Sequence, residues 1–151
     1  MRVYLDHNAT APLRPEARAA MLAAFDTPGN ALSVHAHGRA ARAWVEKARA
    51  QVAAAVGAEA DSVVFTGSGS EANALALRGA LQAASAAGER ITRLIVSAIE
   101  HDSVRATAAA CAESFAGLRV LTAPVTTTGK LDLDEFKRLL DEGKGRALVS
   151  V

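Results

Sequence analysis

A short stretch rich in glycine and hydroxyl side chains carries the clearest chemical signal in the sequence. The apolar run at 63–66 predicts a strand, the residues from Thr66 to Ser70 predict a turn, and an alanine- and leucine-rich helix follows. The free N–H groups of a first helical turn and the helix dipole attract anions. We expect Gly67 and Gly69 to adopt left-handed backbone angles and allow close approach, while the hydroxyls donate to phosphate oxygens. The pattern predicts a phosphate-binding turn.

That turn has neither the lysine of a Walker loop nor the Gly-x-Gly-x-x-Gly dinucleotide fingerprint. Taken alone, it fits equally well an ordinary strand-to-helix turn in which Ser70 is the N-cap. Other segments of the sequence are needed to distinguish these two interpretations.

His101 occupies a comparable place after a second predicted strand. Residues 94–97 predict a buried strand, and the segment from Ala98 to Ser103 leads into another helix. Carboxyl ends of parallel strands meet at one edge of a sheet, so neighbouring strands would bring His101 close to the phosphate turn. A neutral imidazole there can stack on a planar ring or transfer a proton near pH 7. The alternative is that His101 only precedes a helix capped by Asp102 or Ser103.

The elements that position these residues alternate along the chain. Helices are predicted at 15–25, 36–56, 70–87, 103–115 and 132–142, and strands at 63–66, 94–97, 119–122 and 147–151. Repeated β-α-β units of this spacing predict an α/β fold with a mostly parallel sheet covered by helices on both faces.

Composition narrows the function classes. The 151 residues suit one domain with a true core, and the net charge of +1 favours neither nucleic acid nor a membrane surface. The first residues lack the apolar segment of a signal peptide, and no helix is apolar enough to span a bilayer. The single cysteine, Cys111, suits a reducing compartment. We therefore expect a soluble, cytoplasmic protein.

Several candidate groups favour a structural interpretation. His35 and His37 are two residues apart and have no acidic or cysteine cluster beside them, so no metal site is predicted. Cys111 lies in an alanine-rich helix and is expected to be a small buried residue rather than a nucleophile. The lysines are expected to be solvated charges; they are Lys47, Lys130, Lys137 and Lys144.

Four segments, in this order, resemble the cysteine desulfurases of the class V aminotransferase group. They are Tyr4–Thr10, then Gly29-Asn30 with Ser33-x-His35-x-x-Gly38-Arg39, then Thr66–Asn73, and finally Ser97–His101. The turn that usually reads Thr-Ser-Gly-Ala-Thr-Glu is here Thr66-Gly67-Ser68-Gly69-Ser70-Glu71. The change keeps its small, hydroxyl-bearing character. The resemblance covers essentially the whole chain.

This resemblance implies a fold, a cofactor and site residues. The implied fold is the large domain of a type I pyridoxal-phosphate transferase, truncated here, from a protein that is usually a homodimer. Gly69 and Ser70 align with residues that hold the phosphate of pyridoxal 5'-phosphate. His101 aligns with the histidine that stacks on the pyridine ring and assists proton transfer, so it is the expected catalytic residue.

The implied reaction converts L-cysteine to L-alanine and passes the sulfur to an enzyme cysteine as a persulfide. A sulfur acceptor or scaffold protein is an implied partner, and iron–sulfur cluster assembly an implied pathway. Another class V enzyme, such as a selenocysteine lyase or a small-amino-acid aminotransferase, remains an alternative, as does a non-catalytic truncated domain.

The resemblance also implies an order of segments. Residues 1–13 form an N-terminal arm, 14–57 a helical segment, and 58–151 the first, incomplete part of the cofactor-binding large domain. The Schiff-base lysine, the aspartate partner of the pyridine nitrogen and the sulfur-accepting cysteine are expected beyond Val151. The 151-residue piece alone is therefore expected to be inactive.

Overall fold

A computed structural model describes residues 3–7 and 9–151 of the chain. Met1 and Arg2 of the predicted arm and Asn8 of its motif lie outside the described residues. The chain divides into two compact units, Met1–Val64 and Phe65–Val151. The segment boundaries at 13/14 and 57/58 stay predictions.

The first unit is helical. Helix α1 spans Pro15–Phe25 and begins with proline at its first position, and helix α2 spans Ala36–Val56 and ends at Gly57 in the left-handed region, as helix C-termini commonly do. A short 3₁₀ helix, Ala60–Ser62, follows. The helix bounds predicted for α1 and α2 are confirmed. The apolar face predicted for α1 is not buried within this unit, since Phe25 remains 76% exposed.

Two glycines let a loop pack against the start of α2. A Cβ at Gly29 would lie 2.3 Å from the carbonyl oxygen of His37, and one at Gly38 would lie 2.2 Å from that of Ser33. Neither position can therefore accept a side chain without moving backbone. Glycine at positions 29 and 38 is therefore what allows the loop to lie this close to the helix.

The second unit is a three-stranded sheet with helices on both faces. Its elements in chain order are α3 (Gly69–Ala86), β1 (Ile91–Ser97), α4 (Asp102–Ser114), β2 (Arg119–Ala123), α5 (Leu133–Asp141) and β3 (Arg146–Ser150). The strand order is β2-β1-β3, and both pairings are parallel. Ile95 at the centre faces Leu121 on one side and Val149 on the other. The predicted α/β class with a parallel sheet is confirmed.

The two faces of β1 pack against different helices. Leu94 and Val96 pack with α3 and α4, in a cluster that also holds Cys111, whereas Ile95 packs on the opposite face with Leu139 of α5. Successive side chains of a strand point to opposite faces, so a continuous apolar run is what a strand covered on both sides requires. The prediction that Cys111 is a small buried residue is confirmed, because none of its surface is exposed.

One predicted strand was wrong. The sheet of the described residues has three strands, and residues 63–66 belong to none of them. Val63 is extended, but its carbonyl oxygen accepts from the guanidinium of Arg49 instead of from a strand N–H. An apolar run becomes a strand only where a neighbouring edge offers paired donors and acceptors. Val64, at 65% exposure, is also not buried.

Arg93 is a charged residue buried in the central strand. Its Nη1 atom donates to the carbonyl oxygens of Leu139 (2.9 Å), Leu140 (2.7 Å) and Glu142 (2.7 Å), and its Nη2 atom donates to that of Gly145 (2.9 Å). The last carbonyls of a helix have no partner inside the helix and carry partial negative charge. The guanidinium therefore closes the end of α5 from inside the sheet.

Within the described ranges 3–7 and 9–151, no helix combines the length and the apolar character needed to cross a membrane.

Candidate functional site

The turn at 66–70 is a tightly bonded helix start. Ser68 is the N-cap of α3, and its Oγ accepts from the Glu71 amide at 3.2 Å. The Glu71 carboxylate in turn accepts from the Gly67 amide at 2.7 Å, a reciprocal arrangement close to a capping box. The expectation that Ser70 is the cap was wrong. Gly67 and Gly69 do not have positive φ angles, so the expected left-handed backbone was also wrong.

What glycine provides at position 69 is space rather than an unusual angle. A Cβ built on Gly69 meets no atom within 4 Å. Helix geometry leaves the Gly69 and Ser70 amides without an acceptor in the helix, and none is found elsewhere in the part of the chain that the structure describes. Ser70 is exposed and adds a hydroxyl. Two free N–H groups, a hydroxyl donor and open space at a helix N-terminus fit the requirements of a phosphate.

His101 caps the neighbouring helix. It lies directly before α4, and its Nδ1 accepts from the Ser103 amide at 3.1 Å. The alternative in which Asp102 or Ser103 caps this helix was therefore wrong, because the imidazole of His101 is the cap itself. The ring is exposed at the carboxyl-end edge of β1.

A hydrogen-bond chain joins the N-terminal parts of α3 and α4. Asn73 Nδ2 donates to Ser103 Oγ at 2.9 Å, and Ser103 Oγ lies 2.8 Å from His101 Nδ1. The two helix N-termini thus meet beside the end of β1, with Gly69, Ser70 and His101 in the same region. The two positive dipole ends reinforce each other as a place for negative charge. Asn73 and Ser103 were not expected to hold this edge together.

The loop after β1 is tied to the end of β3. Ser150 Oγ donates to Glu100 Oε1 at 2.6 Å, and the Ile99 amide donates to Ser97 Oγ at 3.3 Å. A cleft of about 330 Å³ lies beside this loop and is bordered by Leu131 and Val151. The carboxyl ends of the strands, where ligands bind in open α/β sheets, therefore form a concave edge.

The other candidate nucleophiles and ligands have surroundings that favour a structural role. All four lysines are exposed, as expected, and the Lys47 ammonium lies 5.9 Å from the centre of the Trp44 ring. Burial raises the pKa of the Cys111 thiol, an effect that Arg78 partly opposes, so this cysteine is not an activated nucleophile. His35 caps α2, its Nδ1 accepting from the Gly38 amide at 3.3 Å.

Comparison with known proteins places the chain in a family. It matches the aminotransferase class-V family over residues 3–151. It is 36% identical over 148 residues to an IscS-like cysteine desulfurase of Mycobacterium tuberculosis. That match covers 98% of this chain and 37% of the relative. It is 40% identical over 142 residues to a cysteine desulfurase of Rhodobacter capsulatus, covering 93% and 36% respectively.

A solved structure of a NifS-like protein has the same fold. It superposes with a TM-score of 0.84 at 29% identity, over 99% of this chain and 40% of that one. The chain spans little more than a third of the length of the curated relatives described above. The resemblance to cysteine desulfurases predicted from four ordered motifs is thus confirmed, and the chain belongs to the aminotransferase class-V family.

Proposed function

We propose that this chain is the N-terminal part of a pyridoxal-phosphate-dependent cysteine desulfurase. The observation that carries the proposal is the meeting of two helix N-termini at one sheet edge, where free amides at Gly69 and Ser70 accompany an exposed imidazole at His101. The similarity to proteins named cysteine desulfurases gives the reaction class. The complete enzyme would convert L-cysteine to L-alanine and deliver sulfur to an enzyme cysteine.

The residues present fit the phosphate end and the ring of the cofactor. The Gly69 and Ser70 amides and the Ser70 hydroxyl would hold the phosphate, whose charge the α3 dipole favours. His101 would lie against the pyridine ring. When bound, pyridoxal phosphate supplies an electron sink for the substrate, while the protein contributes orientation and electrostatics.

The chain's own residues have separable tasks in this proposal. Ser68 and Glu71 hold the turn in place through reciprocal hydrogen bonds, which leaves the next two amides for an anion. His101 is the group able to hold or release a proton at this edge.

The remaining catalytic groups are proposed to lie in the rest of the parent enzyme. Each lysine of this chain is exposed, and Cys111 is buried, so neither residue type offers the amine or the mobile thiolate that the reaction needs. A homodimer, a sulfur-accepting or scaffold partner, a role in iron–sulfur cluster assembly and a cytoplasmic location belong to the same proposal.

The test is a product assay on the full-length protein. With pyridoxal phosphate and L-cysteine, we expect sulfide, in the presence of a thiol reductant, and alanine in equal amounts. Ser70→Ala should weaken cofactor binding about tenfold, the effect of losing roughly 1.5 kcal/mol from one hydrogen bond to a charged group. Ser114→Ala is the matched control, because its hydroxyl bonds Ala110 at the far end of α4. Transamination of glyoxylate or pyruvate without sulfide release would contradict the proposal.

A further inference from the structure

Three polar groups at the proposed site form a chain with a defined direction. Asn73 Nδ2 is an amide nitrogen and can only donate, so Ser103 Oγ is the acceptor of their 2.9 Å hydrogen bond. The single proton of the Ser103 hydroxyl is then available for its other neighbour, His101 Nδ1, at 2.8 Å. Each group thus donates a hydrogen bond to the next, from Asn73 to Ser103 and from Ser103 to His101.

A second donor fixes the same ring nitrogen. The Ser103 backbone N–H donates to His101 Nδ1 at 3.1 Å, and a backbone N–H cannot accept a hydrogen bond in return. Nδ1 therefore receives two hydrogen bonds and must present its lone pair to both. In a neutral imidazole the proton then resides on Nε2, because the hydrogen bond at one nitrogen determines the tautomer of the other.

We propose that Asn73 and Ser103 are positioning residues that hold His101 as the neutral tautomer protonated on Nε2. The consequence for the reaction rests on the proposed function above. Nε2 has no hydrogen-bond partner among residues 3–7 and 9–151, so the ring offers one N–H donor to whatever binds at this edge. His101 then acts as a hydrogen-bond donor at Nε2, and it can take up a proton only if Nδ1 gives up its two hydrogen bonds.

Neutrality also matters for stacking. A protonated imidazole lying on a protonated pyridine ring would place two positive charges face to face, which is unfavourable at any effective dielectric constant. Two donors point at Nδ1, and the ring lies directly before the first turn of α4. If the proposed function holds, an uncharged His101 ring would suit a place against the pyridine ring of the cofactor.

His35 provides an internal comparison. It also caps a helix through Nδ1, accepting from the Gly38 amide at 3.3 Å, but no serine hydroxyl is recorded on that nitrogen in the described part of the chain. If helix capping alone determined the state of the ring, the two histidines would behave alike. A difference between them isolates the contribution of Ser103 Oγ.

The experiment is ¹⁵N NMR of histidine-labelled full-length protein without cofactor, at a pH where the ring is neutral, with the His101 signals assigned by their loss in His101→Gln. We expect an unprotonated Nδ1 and a protonated Nε2. Ser103→Ala and Asn73→Asp should both move the Nδ1 resonance away from its hydrogen-bonded position. In the second variant the carboxylate accepts the serine proton and draws it off the ring. Ser103→Thr should restore the wild-type signal, and Ser114→Ala should leave it unchanged.

A wild-type His101 protonated on Nδ1, or an Nδ1 resonance unmoved in both Ser103→Ala and Asn73→Asp, would overturn the proposal. A merely structural role is excluded by Asn73→Asp, which keeps size and shape but reverses the hydrogen-bonding role. Since no cofactor or substrate is present, the result is independent of the reaction. If the wild-type enzyme releases no sulfide but the NMR result holds, the proposed function fails and the inference about His101 stands.

Discussion

Replacing Arg93 by methionine removes the guanidinium that holds the end of α5 while keeping a flexible side chain of similar reach in the sheet. Four carbonyl oxygens lose a donor at once: those of Leu139, Leu140, Glu142 and Gly145. Methionine offers none of these hydrogen bonds. The substitution therefore tests whether a buried charge that is held by carbonyl oxygens stabilises this fold.

The expected loss follows from the contacts. Hydrogen bonds from a charged donor contribute about 1.5–3 kcal/mol each. Because the two protons of Nη1 serve three of the carbonyls, at most three full hydrogen bonds count, which gives at least about 4.5 kcal/mol in a simple sum. Two effects reduce that sum. The variant no longer has to remove a guanidinium from water, and the carbonyls of exposed Leu140 and Gly145 can be hydrated after a small movement. We expect a net loss of about 3 kcal/mol in the free energy of unfolding.

Urea unfolding monitored by circular dichroism measures this loss. With a slope of about 2 kcal/mol per molar urea, the midpoint should fall by about 1.5 M. Arg93→Lys should be intermediate, because one ammonium cannot reach four carbonyls. Arg119→Met is the control, since that arginine is exposed and pairs only with Glu142 at 3.2 Å among the described residues; its loss should stay below about 1 kcal/mol. Equal losses for the methionine variants of Arg93 and Arg119 would refute the reasoning.

Three further changes have directions set by the structure. Ser68→Ala removes the N-cap of α3 and should lower the free energy of unfolding by about 1 kcal/mol in urea titrations, and an unchanged midpoint would contradict the capping role. Cys111 should react with a thiol reagent only on unfolding, and fast labelling of the native chain would exclude a buried thiol. Because burial raises the pKa of this thiol, it ionises at lower pH in the unfolded chain than in the folded one. The free energy of unfolding should therefore fall as pH rises past 9.0. The hydrogen bond from Arg138 lowers the pKa of Glu135 in the folded chain. The difference in unfolding free energy between wild type and Arg138→Gln should therefore be present above pH 4.5 and shrink as pH falls through the pKa of Glu135 in the folded chain. A difference that is the same at low pH would argue against the pair.

The elements of the fold could be predicted because their patterns are local. Five helices and three of the four expected strands lie within a few residues of their predicted bounds, since capping residues and apolar periodicity are written in the chain itself. The strand expected at 63–66 failed because strand formation depends on a partner edge, which composition does not show. Strand β1 begins at Ile91, earlier than the predicted start at Leu94, because the charged Arg93 interrupts the apolar pattern from which the start was predicted.

The residues of the candidate site could be predicted from the sequence, but the hydrogen bonds that join them could not. The local pattern pointed to the turn at 66–70 and to His101, and the resemblance to cysteine desulfurases then singled out Gly69 and Ser70 within that turn. The bonds that join those starts link residues thirty positions apart, Asn73 and Ser103, and no local pattern reveals such a contact. The wrong cap in α3 has a simpler cause, because Ser68 and Ser70 are chemically identical and only the backbone decides which one lies outside the helix.

The burial of Arg93 has a consequence for the order in which the molecule is made. β1 leaves the ribosome before β3, and while it waits, one edge of a strongly apolar strand lies open to other chains. During that interval the guanidinium has water around it instead of the carbonyls of α5, and an inward-facing charge discourages pairing with a foreign strand. Only when α5 and Gly145 arrive is the charge covered. The same side chain that closes a helix in the finished sheet is therefore also of the kind that disfavours edge-to-edge pairing in the unfinished one.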